Sequence, residues 1–344
     1  MRHFPYLSIL FLLLLSACQS ENPATSRPTR TAGPPGVIIE PQGFFQRVHD
    51  PVIAKENGKY YVYHTGGRIP FICSPDKLTW EFCGRVFEKN PGWTREINPD
   101  LADTWAPDIS FFNGKWHLYY AVSSFGSQNS AIGLATNTTL DPQNPAYAWV
   151  DQGLVLRSRA GDKWNAIDPN LVLDEAGEPW LAWGSFWQGI WMRKIEAATG
   201  MLSEKDTETL HLADRSSGPD GTTAIEAPFI VEHDGFWYLF VSFDQCCQGV
   251  KSTYNVRIGR SQKLTGPYLD RAGVELTKGG GTPLLAEYGQ WKGPGHNGIL
   301  IEDGVYWMVY HAYDANQIGI PKLRIESISW DAEGWPTLAS QSGK

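Results

Sequence analysis

The chain has 344 residues, enough for one large all-β domain or two ordinary ones. Charged residues make up 19% of it against 13% aromatic, with 15 Trp and 35 Gly, which excludes a helical protein rich in Glu, Lys and Leu and favours strands joined by tight turns. A formal net charge of −8 with no long run of Lys or Arg gives no electrostatic footprint for nucleic acid and leaves a neutral or weakly charged ligand as the expected partner.

At the N-terminus, Arg2 and His3 precede an apolar run from Phe4 to Leu15 that is too short for a permanent membrane span, the form of a secretory signal over residues 1–17. The run ends in Leu15-Ser16-Ala17-Cys18, which resembles a bacterial lipobox, so Cys18 is expected to carry a lipid and become the first residue of an exported chain. Gln19 in the next position points, by the same resemblance, to the outer membrane or cell surface. Residues 18–36 are mostly Ser, Thr, Pro, Asn and Gly with little to bury and read as a flexible tether. That lipid is the only membrane contact expected, and a monomer is the expected state. Of the remaining cysteines, Cys73 and Cys83 flank a plausible hairpin turn and could bridge or stay as buried thiols. Adjacent Cys246 and Cys247 could close a ring or stay reduced, and their spacing matches no zinc pattern.

From residue 37 to 344 one short pattern recurs five times: a turn containing Gly, then an aromatic-rich strand. The copies begin at Asn57-Gly58, Asn113-Gly114, Ala176-Gly177, Asp234-Gly235 and Asp303-Gly304. Asn-Gly and Asp-Gly between apolar runs mark hairpins, because both central positions of a type I′ turn need positive φ. The glycines recur roughly every sixty residues, room for one four-stranded antiparallel sheet per copy, and radial repetition of such sheets protects their edges. The expected fold is therefore an all-β, five-bladed β-propeller in a single domain.

Seven or eight residues before the turn glycines stand Pro51, Pro107, Pro169 and Pro228, with Asn297 at the matching place in the fifth copy. The residues just before these are Asp50, Ala106, Asp168, Ala227 and His296, and Glu226 comes one step earlier in the fourth copy. Equivalent positions of successive blades face one axis, so Asp50, Asp168, Glu226 and His296 are expected to converge at the end of a central channel. Three carboxylates in register are unfavourable unless they serve chemistry, because like charges raise one another's pKa. A pair of carboxyl groups flanking a bond is the minimum equipment of glycoside hydrolysis, and aromatic faces stack on sugars. Trp105, beside an axial strand in Thr-Trp-Ala-Pro-Asp, is the aromatic residue expected to touch the ligand.

Taken in order, Val48-His49-Asp50-Pro51, Trp105-Ala106-Pro107-Asp108, Asn165-Ala166-Ile167-Asp168-Pro169, Gly184-Ser185-Phe186, Ile225-Glu226-Ala227-Pro228, the Phe243–Gly249 segment with Ser252-Thr253-Tyr254, and Gly293-Pro294-Gly295-His296-Asn297-Gly298 resemble glycoside hydrolase family 43, and within it the endo-1,5-α-L-arabinanases. The resemblance implies cleavage of arabinan with inversion, Asp50 as general base, Glu226 as general acid, and Asp168 raising the pKa of the acid and orienting it. Inversion needs space for a water, so the Asp50 and Glu226 carboxyls would lie roughly 6.5–9.5 Å apart. The same resemblance implies that His296 helps hold a calcium ion largely through waters, and that Asn165, Ala166, Ile167, Ser185, Phe186 and Trp187 line the central subsite. Two rival functions share these features: an exo-acting arabinofuranosidase or xylosidase of the same family, and a non-catalytic surface glycan-binding propeller.

Overall fold

The computed structural model describes residues 36–215 and 222–342, with Met1 and His3. Nearly all of the signal segment, Cys18 and nearly all of the tether lie outside the described residues. The rest forms five sheets arranged as a ring. Their first strands are Val52–Glu56, Trp105–Phe112, Asn170–Leu173, Ile225–His233 and Trp291–Glu302. Each touches the first strand of the next sheet, and the last touches the first, so these five surround the axis. They are the innermost strands of five propeller blades.

Within each blade the chain runs outward by antiparallel hairpins. Four of the five recurring turns are two-residue connections with both positions left-handed: Asn57 (φ 49°) and Gly58 (φ 80°) open the series, and Asn113-Gly114, Asp234-Gly235 and Asp303-Gly304 repeat it. The third copy differs. There the connection spans Asp174 to Glu178, and the Asp174 carboxylate accepts from the amides of Ala176 (3.0 Å) and Glu178 (2.9 Å), so a side chain organises a longer turn. Of its positions only Gly177 is left-handed.

The strands read as nearly continuous aromatic and aliphatic runs because both faces of every blade are buried. In Lys59–Tyr63, Tyr61 and Tyr63 pack between blades one and two while Tyr60 and Val62 pack between blades five and one. Leu118, Tyr120 and Val122 likewise face one neighbour and Tyr119 the other. A period of two therefore sorts one strand's side chains between two cores. Five such interfaces between blades, each worth roughly 25 cal/mol per Å² of apolar surface removed from water, hold the ring.

The expectation of uniform four-stranded blades holds for two sheets, and three carry a fifth short strand. Gln42–Gly43 adds to blade one in parallel against Thr79–Trp80. In the fifth blade the outer place is shared by Ile38–Ile39, from the start of the domain, and Pro336–Leu338, from its end, both paired with Ile320–Trp330. In blades one and five the added strands come from the start and end of the domain, whereas in blade three Met201–Leu202 and Leu210–Ala213 both pair with Ile190–Glu196. Both cysteine pairs are bridged: Cys73–Cys83 staples the outer hairpin of blade one, and Cys246–Cys247 closes a ring between neighbours.

Candidate active site

The five positions read as equivalent in the sequence share one backbone conformation. Asp50 (φ 50°), Ala106 (43°), Asp168 (55°), Ala227 (55°) and His296 (52°) are all left-handed, at or just before the start of an inner strand's regular pairing. In three blades the register slips at this point, between Trp105 and Asp108, Glu226 and Phe229, and Gly295 and Gly298. Left-handed backbone costs a non-glycine residue about 1–2 kcal/mol, and the proline that follows in four copies has no N–H to leave unpaired at the kink. Repeated around the axis, the kink turns the side chains on either side of it toward the channel mouth.

Asp50 is buried, and its oxygens are saturated with donors. His49 Nδ1 lies 2.8 Å and His296 Nδ1 3.2 Å from Oδ1, and Thr65 Oγ1 donates to Oδ2 at 2.5 Å. The Thr65 oxygen in turn accepts from the Ala106 amide at 2.8 Å, and the Asp50 amide donates to His311 Nδ1 at 3.1 Å. Burial pushes the Asp50 carboxyl up, but His49 and His296 outweigh it and hold it well below the usual carboxylate range. Asp50 is therefore an ionised group.

Glu226 stands in the opposite condition. Burial pushes its carboxyl up, against hydrogen bonds from Ser185 Oγ to Oε2 (2.7 Å) and from Tyr254 OH to Oε1 (2.8 Å). The Ser185 and Glu226 backbones also bridge, which fixes the serine beside the acid. Asp168 accepts the Ala227 amide at 3.1 Å and is driven well above its ordinary value by burial and by the charges of Glu226 and Asp50, opposed by His296. His296, facing three carboxylates, is raised to about 9 despite burial.

These groups line a cavity of about 670 Å³, a usual size for a small-ligand or oligomer site. Trp105, Asn165, Ile167, Ser185, Phe186 and Trp187, which the sequence reading expected to touch the ligand, are in its wall. Ala166 is not: it is fully buried and packs between blades two and three. Asn165 and Ile167 flank it and turn toward the cavity, so a contiguous segment was read as facing one way where neighbouring residues face opposite ways. Residues to which the sequence reading gave no role are His49 and Tyr254, although both stand in the segments that carry the resemblance, and Thr65, Phe125, His311 and Tyr313. Phe125 is 80% exposed and pairs with Trp105 at 5.2 Å between ring centres. The signal for His311 and Tyr313 was their spacing of two in the strand after the fifth turn, which puts both on one face. The Cys246–Cys247 ring is also in the wall.

His296 lies at the mouth of the channel beside Asn297, a buried residue whose two amide atoms have no protein partner. Asn165 Oδ1 and His311 Nε2 are likewise buried and unpartnered. Buried polar atoms need water or an ion, and an amide oxygen suits a hard, hydrated cation. The Asn297 and Asn165 oxygens have that chemistry, whereas His311 Nε2 carries a proton, because its Nδ1 accepts the Asp50 amide, and suits a water instead. Among the described residues near the site, the three whose ligand atoms already lie close together are His49, Asp50 and His311, which is a hydrogen-bonded cluster rather than the His296 position.

Comparison with known proteins places this geometry in context. The family model described as Glycosyl hydrolases family 43 matches residues 44–336. The chain is 43% identical to the extracellular endo-α-(1→5)-L-arabinanase 1 of Bacillus subtilis strain 168, over 84% of this chain and 87% of that one. It is 40% identical to the extracellular exo-α-(1→5)-L-arabinofuranosidase ArbA of Cellvibrio japonicus, over 85% and 86%. Among solved structures, the α-L-arabinanase of Cellvibrio cellulosa complexed with arabinohexaose superposes with a TM-score of 0.80 at 39% identity, covering 85% of this chain and 95% of that one.

Proposed function

The chain belongs to glycosyl hydrolase family 43 and is a glycosidase, and from that premise we propose that it cleaves internal α-1,5-arabinofuranosidic bonds of arabinan with inversion of configuration. Asp50 is the general base that takes a proton from the attacking water, Glu226 the general acid that protonates the leaving oxygen, and Asp168 the neighbour that keeps the proton on the acid and orients it. One observation carries this reading: two carboxyl groups share a cavity but have opposite environments, Asp50 held ionised by His49 and His296 and Glu226 pushed up by burial. Environments that separate two carboxyls in this way assign base and acid. Trp105, Asn165, Ile167, Ser185, Phe186 and Trp187 are then the sugar contacts. A calcium ion held by His296 and Asn297, largely through waters, would supply fixed positive charge beside the carboxylates. The extracellular relatives support export, with a lipid on Cys18 anchoring a monomer at the outer membrane or cell surface.

The test is hydrolysis of linear arabinan followed by viscosity and product analysis. A rapid fall in viscosity with mixed oligosaccharides, reduced on chelation and restored by calcium, is the expected result. Release of arabinose alone would replace internal cutting by the exo mode, the activity for which the relative at 40% identity is named. Glu226→Gln should lose several orders of magnitude in turnover while still binding arabinan. Full function in that variant would leave a glycan-binding propeller instead.

A further inference from the structure

The ionised carboxylate at the channel mouth is the end of a chain of hydrogen bonds that begins in another blade. His49 Nδ1 contacts Asp50 Oδ1 at 2.8 Å, and His49 Nε2 lies 2.7 Å from the Tyr313 hydroxyl. That hydroxyl accepts from the Cys247 amide at 2.8 Å. A carboxylate can only accept and an amide N–H can only donate, so His49 gives its Nδ1 proton to Asp50 and Tyr313 accepts from the Cys247 amide, while the bond between Tyr313 and His49 Nε2 takes its direction from the protonation of the imidazole. The His49 ring is further clamped by stacking on His311 at 3.8 Å, which accepts the Asp50 amide.

The far end of this chain is built to stay in place. Cys247 is left-handed at φ 68° in an exposed loop that lines the cavity. A non-glycine residue held in that region persists only where its surroundings over-determine it. Here the bond to Cys246 closes a small ring through the 246–247 peptide, and the next turn is tied by Ser252 Oγ, which accepts the Gln248 amide at 2.9 Å. A freely moving loop would not present one amide to Tyr313.

We propose that Tyr313 is a positioning residue for Asp50, and that the Cys246–Cys247 ring serves the reaction by fixing the amide on which Tyr313 rests. This rests on the reading of Asp50 as the base. Neither Tyr313 nor the ring touches the reacting atoms; they set the angle from which Asp50 meets the water. The base in blade one thereby depends on the loop that follows the second strand of blade four.

A double-mutant cycle on kcat tests the proposal. Tyr313→Phe keeps the ring but strips a partner from both His49 and Cys247, and should lower kcat about tenfold with KM within about twofold. Replacing Cys246 and Cys247 together by alanine should do the same. The triple variant should be no worse than the poorer of the two, because both changes break one chain. A kcat for Tyr313→Phe equal to that of the unaltered protein, or two losses that multiply, overturns the coupling. If the alanine pair does not fold, the same cycle between Tyr313→Phe and His49→Ala carries the test with the same two outcomes. Asp50→Asn separates the failures. If it still turns over, the base assignment falls and the relay with it; if it is inactive while the losses multiply, the relay alone falls.

Discussion

At the residue scale, three carboxyl groups share one cavity and differ only in their neighbours. Asp50 meets imidazoles and a threonine hydroxyl, Glu226 two hydroxyls, and Asp168 a single amide. Asp168 and Glu226 are both raised, by burial first, with the charge of Glu226 adding to the rise at Asp168, so the two share their protons as a pair. The sign of an Asp168→Asn change follows. Once the pair has lost one proton, the carboxylate already formed helps to hold the second, and an asparagine removes that repulsion, so the protonated acid is lost at a lower pH. The alkaline limb of the kcat profile should therefore move acidward by about one unit or more while the acid limb, which belongs to Asp50, moves little. An alkaline limb unchanged in that variant would remove Asp168 from its proposed role. Asp50, Asp168, Glu226 and His296 were legible because one backbone kink recurs in every copy and is marked by proline in four of them, with Asn297 at the matching place in the fifth. Thr65, Tyr254 and His311 were not, because they reach the site from second strands and connecting loops whose facing depends on how the blades pack.

At the scale of the element, the inner strands carry chemistry at one end and junctions at the other. Glu302 ends the inner strand of blade five and contacts Lys55, Tyr60 and Lys77 of blade one, the last at 2.7 Å. Burial pushes the Glu302 carboxyl up, but the two lysines and the tyrosine hold it down at about 2. A folded-state value below the unfolded one means that this group stabilises the fold above the unfolded pKa near 4.5 and loses that contribution as pH falls toward 2. Glu302→Gln should thus melt several degrees lower at pH 7, at roughly 2–4 °C for each kcal/mol lost, and the difference should close progressively in thermal melts below pH 4.5. A constant difference across that range would show that packing alone is at work. The third turn is a lesson of the same scale. Ala176-Gly177 was read as one more copy of the hairpin signal, and it does join two strands, but without Asn or Asp before the glycine the tight two-residue turn is replaced by one that Asp174 organises.

At the scale of the whole molecule, the ring is closed by both ends of the domain. Ile38–Ile39 pairs with the third strand of blade five, and the Glu40 carboxylate receives both ends of the Arg324 guanidinium at 2.7 Å. Arg324 is 2% exposed, so losing this partner leaves a buried cation with little but the Trp291 ring and Tyr288 beside it. Deleting residues 1–40 should lower the melting temperature by about 10 °C, since breaking a buried pair costs about 3–5 kcal/mol and the exposure of Glu40 screens it toward the lower end. A melting temperature unchanged by the deletion would mean that Pro336–Leu338 closes the ring unaided.

What the sequence by itself determined is everything that repeats or is local. Asn-Gly and Asp-Gly turns, aromatic strands with two buried faces, and a charged or kinked residue at the head of each inner strand follow from backbone sterics and a period of two, which act over a few residues and recur in each copy. The tertiary structure alone decided what is made between copies: how both ends of the domain complete blade five, that Ala166 faces a core while its neighbours face the cavity, that imidazoles hold Asp50 low while burial pushes Asp168 and Glu226 up, and that an amide from a loop of blade four meets Tyr313 of blade five, which meets His49 of blade one. Those depend on distances between residues up to some three hundred positions apart, and only the packing of the blades against one another sets them.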